Sequence, residues 1–111
     1  MSNPWRGDVE LVIDGERRVM RLTLGALAEL EASMPDDTLL SLVQRFEEGG
    51  FGTRDVLALI VAGLRGGGWQ GRASDLLEAQ INGGPMAAAQ AAAELLARAF
   101  LLPDQGTGAS Q

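Results

Sequence analysis

The sequence contains no histidine, cysteine, lysine or tyrosine. Together these absences remove the commonest general base, the thiol nucleophile, Schiff-base chemistry and most metal ligands. Without cysteine there are no disulfides and no thiolate metal sites, which suits a cytosolic protein. Carboxylate-only sites remain. Asp36-Asp37 and Glu47-Glu48 are the only adjacent acid pairs. Neighbours in sequence on a helix point about 100° apart and do not converge, so these pairs read as helix capping and a solvated helix end. Ser33, Ser41, Thr53 and Ser74 have no base to activate them. No apolar run approaches the roughly 18 to 20 residues a membrane span needs. The N-terminus lacks a basic region followed by an apolar one, so no secretory signal is expected. The expectation is a non-enzymatic, cytoplasmic protein with no cofactor and no metal.

All nine basic residues are arginine, and the net charge is −6. Residues 1–52 hold ten acids and five arginines, while residues 53–111 hold five acids and four arginines. An acidic chain without a basic cluster is a poor nucleic-acid binder, because that affinity rests largely on neutralising phosphates. At 111 residues, 46% of them hydrophobic, the chain is sized for one domain with a real core. Residues 1–6 read as a flexible leader, 7–102 as the domain and 103–111 as a disordered polar tail.

The domain opens with two period-two segments around Gly15. A Gly15-Glu16 turn puts glycine where a type II′ turn wants it. It sets Val9 opposite Leu22, Leu11 opposite Met20, and the pairs Glu10–Arg21 and Asp14–Arg17 on the other face. A turn at Asp14-Gly15 would set Leu11 against Arg18, so cross-strand pairing favours the first register. A lone hairpin is only marginally stable. It is expected to lean on the helices while leaving one edge open to a partner.

Helices fill the rest. Thr23 caps a first helix to Ser33 with Leu24, Leu27 and Leu30 on one side, and Met34-Pro35 ends it. Leu39, Leu42, Val43 and Phe46 repeat at i, i+3, i+4, i+7 after the Asp36-Asp37-Thr38 cap. Thr53 caps a third helix that is apolar all round from Val56 to Ala62. Such a helix is buried on most sides, which makes Val56 to Leu64 the expected centre. Gly66-Gly67-Gly68 opens a flexible loop with Trp69. Ser74 caps a short fourth helix to Ile81. Pro85 starts a fifth, reaching Leu102, with Gln90, Glu94 and Arg98 as a polar stripe and Ala89, Ala92, Ala93 and Leu96 as a close-packing face. The fold class is α+β: an N-terminal β-hairpin packed on a mainly helical bundle of four to five helices. Gly63 to Gly71 lacks a P-loop lysine and a preceding strand. Trp5, Phe51 and Trp69 lie near glycines in loops. They are either plugs at the edge of the core or anchors for a partner, since Trp is enriched in binding hot spots.

The segment Gly7 to Ala32 resembles the opening of a family of small tail proteins from gene transfer agents and tailed phages. The similarity is carried by Ile13-Asp14-Gly15-Glu16, then Leu22-Thr23-Leu24-Gly25-Ala26-Leu27-Ala28-Glu29-Leu30-Glu31, and by the apolar helix ending Ala62-Gly63-Leu64-Arg65. The resemblance implies a part in building a phage-like tail in a bacterial host cell. It implies the tape-measure protein and the tail tube protein as partners, with self-association as a further option. Some family members carry the label tail tube protein, others tail assembly chaperone, and none brings active-site residues. Tube subunits stack as rings lined by β-sheet and need many strands, whereas this chain offers two. The expectation is therefore a chaperone that binds the tape measure and recruits tube subunits. The alternative is a tube or tail-junction subunit retained in the particle.

Overall fold

Strands β1 (Val9–Ile13) and β2 (Glu16–Met20) form an antiparallel hairpin. Helices α1 (Leu24–Ala32), α2 (Leu39–Glu48), α3 (Thr53–Gly66), α4 (Ala73–Leu77) and α5 (Gly84–Leu96) follow, and α5 runs on into a π-helical turn, Ala97–Leu101. The fold is α+β, as the sequence implies. The computed structural model describes residues 8–101. The leader at 1–6, Trp5 within it and the tail at 103–111 lie outside the described residues.

The hairpin turns one residue earlier than pairing arguments suggest. Asp14 (φ 52°) and Gly15 (φ 79°) both take left-handed backbone, the signature of a type I′ turn, whose twist matches that of the strands. Val9 therefore pairs with Met20, Leu11 with Arg18 and Ile13 with Glu16. Distant contacts add to the turn's own preference. The Asp14 N–H donates to the Gln80 carbonyl at 2.7 Å, and the Gln80 N–H donates to Asp14 Oδ1 at 2.8 Å. The Asn82 N–H donates to the Val12 carbonyl at 2.9 Å, and Ile13 bridges Ile81. A two-residue shift leaves the faces unchanged, so Val9, Leu11, Ile13 and Met20 still enter the core. The ion pairs do change. Arg21 clamps the buried Asp8 through two bonds of 2.8 and 3.0 Å, Glu10 lies 3.7 Å from Arg17, and Arg18 turns to Glu16.

The hairpin edges, one of them expected to be open, are engaged in part. Residues Gln80 to Asn82 cover the outer edge of β1 at its tip. Beyond β2, the Arg21 N–H donates to the Gly63 carbonyl of α3 at 2.9 Å. Gly66 and Gly67, expected to open a flexible loop, are instead the surface on which the end of β2 lies. A Cβ added to Gly66 would overlap the Arg21 carbonyl oxygen, and one added to Gly67 would overlap that of Val19. One added to Gly63 would come within 2.7 Å of Leu95 and 3.1 Å of Met20.

Met20, Leu30, Leu42, Leu59, Ile60, Leu64 and Leu95 are the largest fully buried side chains. The most buried stretch of α3 is its second half, Leu59, Ile60, Ala62, Gly63 and Leu64. Val56, Leu57, Ala58 and Val61 are only half-buried, packed at the margin of the core. On α5 the packing row is Ala88, Ala91, Ala92, Leu95 and Leu96. Ala93 is exposed, so the expected face is turned by about one position.

Thr23 accepts from the Ala26 N–H and Thr38 from the Ser41 N–H, each at 3.0 Å, as their positions imply. Thr53 and Ser74 do not cap. They lie inside their helices, whose starts are held by Asp55 and Asp75. Each carboxylate reaches back to a backbone N–H, of Gly52 and Arg72 respectively, at 2.9 Å. α4 stops at Leu77 rather than running to Ile81, which is drawn to the hairpin.

Two tests follow from this packing. Gly66→Ala should cost about 2 kcal/mol or more, since backbone cannot yield as a side chain does. Gly50→Ala, with open space around it, should stay within about 0.5 kcal/mol of wild type. Chemical denaturation measures both. Ile60→Ala should cost about 2–5 kcal/mol and Leu57→Ala distinctly less. Equal losses would contradict the placement of α3.

Candidate partner-binding surface

The two described aromatic candidates sit at opposite ends of α3. Phe51 precedes its first turn and Trp69 follows its last. At 1.5 Å rise per residue, a helix of this length separates them by about 20 Å, so they do not form one site.

Phe51 stacks on Phe46 of α2, with ring centroids 4.4 Å apart and planes within 5°. Both rings are half-buried. The corner beside them is polar and tightly tied. Arg45 reaches Asp37 at 2.7 Å and donates two bonds to Asp55 at 2.9 and 3.1 Å. One guanidinium thus joins the start of α2 to the start of α3. Its hydrogen bonds hold Asp55 below the usual carboxylate range, helped by the Gly52 N–H. Asp37 is held down first by the Thr38 N–H and then by Arg45.

Trp69 is placed by the way α3 ends. Gly68 adopts φ +103°. Its N–H donates to Arg65 at 3.0 Å, and that of Trp69 donates to Leu64 at 2.9 Å. This 5→2 and 6→1 pair is a Schellman motif, in which an apolar residue after the glycine packs back on the last turn. The indole is half-buried against the core and covers Gly71 so closely that a Cβ there would overlap its ring. It is part of the fold, not a free loop side chain. Its outer side forms one wall of a groove of about 460 Å³. Thr23 and, on α1, Gly25, Ala26 and Glu29 line the other wall, with Arg65, Gly66 and Gln70 completing it. Arg65 bonds Glu29 at 2.8 Å and the Gly71 carbonyl at 3.1 Å.

Leu24, expected on one side of α1 with Leu27 and Leu30, is 85% exposed at the start of the helix. Spacing explains the error. Six residues separate Leu24 from the buried Leu30, which turns Leu24 about 120° away from it. Ala26 and Leu30 are the buried members of α1.

A family model described as phage tail tube protein, GTA-gp10, matches residues 6–101. The chain belongs to that family. The match spans hairpin and helices alike, so it covers the whole described fold and bears out the resemblance to gene transfer agent and phage tail proteins. No curated protein and no solved structure matches significantly. Among the described residues of this GTA-gp10 family member, no helix is long and apolar enough to cross a membrane.

The lowered Asp55 carboxylate sets a pH dependence. A depressed folded-state pKa adds stability that is present above the unfolded value and is lost as pH falls through the folded one. Wild type should therefore lose stability below about pH 4. Asp55→Asn should be less stable at neutral pH and show a shallower acid limb in thermal melts. Trp69→Ala should cost about 1–2 kcal/mol, less than a fully buried Trp, measured by denaturant unfolding.

Proposed function

We propose that this family member acts during tail assembly as a non-enzymatic chaperone, binding the tape-measure protein and recruiting tube subunits in the bacterial cytoplasm. One observation carries the reading. Among the described residues the only sheet is the two-stranded hairpin, and its outer edges are engaged at the tip by Gln80 to Asn82 and at Arg21 by α3. A tube wall built from continuous sheet needs strands that pair from one subunit to the next. Here the exposed elements are helices, which suit helix-in-groove recognition of a long helical chain. Such a chain exposes apolar surface before its tube forms and risks aggregation. The second reading, a tail tube subunit retained in the particle, is favoured by the description of the family itself.

Purified particles separate the two. A chaperone should be absent from them by mass spectrometry, and a tube subunit present at ring stoichiometry. Co-expression with the tape-measure protein should raise its soluble fraction several-fold and yield a complex on pull-down. If solubility is unchanged and no complex forms, the tube-subunit reading takes its place.

A further inference from the structure

We propose that the exposed face of α1, with the Trp69-walled groove beside it, receives an amphipathic helix of the tape-measure protein, bearing an apolar anchor with arginine or lysine on its flanks. The proposal rests on the assembly reading for the identity of the partner. The surface itself is argued from α1.

At 100° per residue, Leu24, Gly25, Ala28 and Ala32 share the arc opposite the buried Ala26 and Leu30. All four are exposed. Leu24 is more exposed than any other large apolar side chain among the described residues. A helix apolar on both faces is ordinarily covered on both. The groove adjoins this face at Gly25, which belongs to both, and the indole of Trp69 is one of its walls. Trp69 is rigid because the helix cap fixes it, and a preorganised aromatic wall is the kind of feature that carries binding energy.

Charge selects the occupant. Glu29 and Glu31 border the exposed arc of α1 on its two sides. From Leu22 to Asp37 the sequence has four acids and no base. Asp37 is committed to Arg45, and Glu29 shares Arg65. Among the described residues, Glu31 and Asp36 are in no ion pair. A second copy of this face would set acid against acid. A basic helix would be steered in and held at the Glu31 border, while Glu29 keeps its pair with Arg65.

The test is affinity for the tape-measure protein, measured with the whole chain at two salt concentrations. Leu24→Gln should weaken binding about tenfold or more, the effect of losing one buried leucine. Because Leu24 is exposed, the variant should melt like wild type. Glu31→Lys should weaken binding and flatten its salt dependence. Leu40→Gln and Leu77→Gln, exposed leucines elsewhere, should bind like wild type. If wild type binds and Leu24→Gln and Glu31→Lys bind equally well, this face of α1 is not the site, although the assembly reading stands. If wild type does not bind at all, the assembly reading falls and the occupant proposed here falls with it. Loss of self-association by Leu24→Gln in sedimentation, with tape-measure binding intact, would overturn the proposal in favour of a second copy.

Discussion

The backbone of β2 lies directly against the glycine-rich end of α3, with no side chain between them at Gly66 and Gly67. Any Cβ there would lift the strand away and break the bond from the Arg21 N–H to the Gly63 carbonyl. At this separation Met20 sinks fully into the core, beside Gly63 and Leu95. Hairpin, central helix and last helix thus meet at one point. A two-stranded sheet has little stability of its own in water, and here a helix supplies the face it needs.

α3 also divides the molecule into two kinds of surface. At its start, Arg45 ties two carboxylates together, and the Phe46–Phe51 stack lies beside that corner. At its end, a glycine cap throws Trp69 back over the last turn and leaves a groove against α1. The first end spends its polar groups on itself. The second has its own Arg65–Glu29 pair but keeps the apolar face of α1 and Glu31 turned outward, which is why recognition is proposed there.

What was legible in the sequence is what short-range chemistry decides. Thr23 and Thr38 cap as read, because a hydroxyl and an N–H three residues on meet without outside help. The α2 stripe from Leu39 to Phe46 held for the same reason. The turn did not, because its tip bonds to Gln80 and Asn82, far along the chain. Composition cannot distinguish a glycine chosen for freedom from one chosen for closeness, so Gly66 and Gly67 read as a loop. Trp69 reads as either a core plug or a partner anchor, and its indole does pack against the core; the helix stop that puts it there, Gly68 followed by an apolar residue, is recognisable in the sequence. Leu24 was misread because a three-residue step drifts around a helix.

The bonds between Asp14 and Gln80 also fix an order of events during synthesis. The hairpin is the first described element to leave the ribosome, yet the groups that hold it come last. Met20 has no wall until Gly63 and Leu95 have emerged, and the turn has no anchor until Gln80 to Asn82 follow. Pairings between distant parts of a chain form slowly, because loop closure must precede them. The hairpin therefore keeps its apolar side uncovered until the segments that carry Gly63, Gln80 and Leu95 have been made, and its docking joins early and late parts of the described fold.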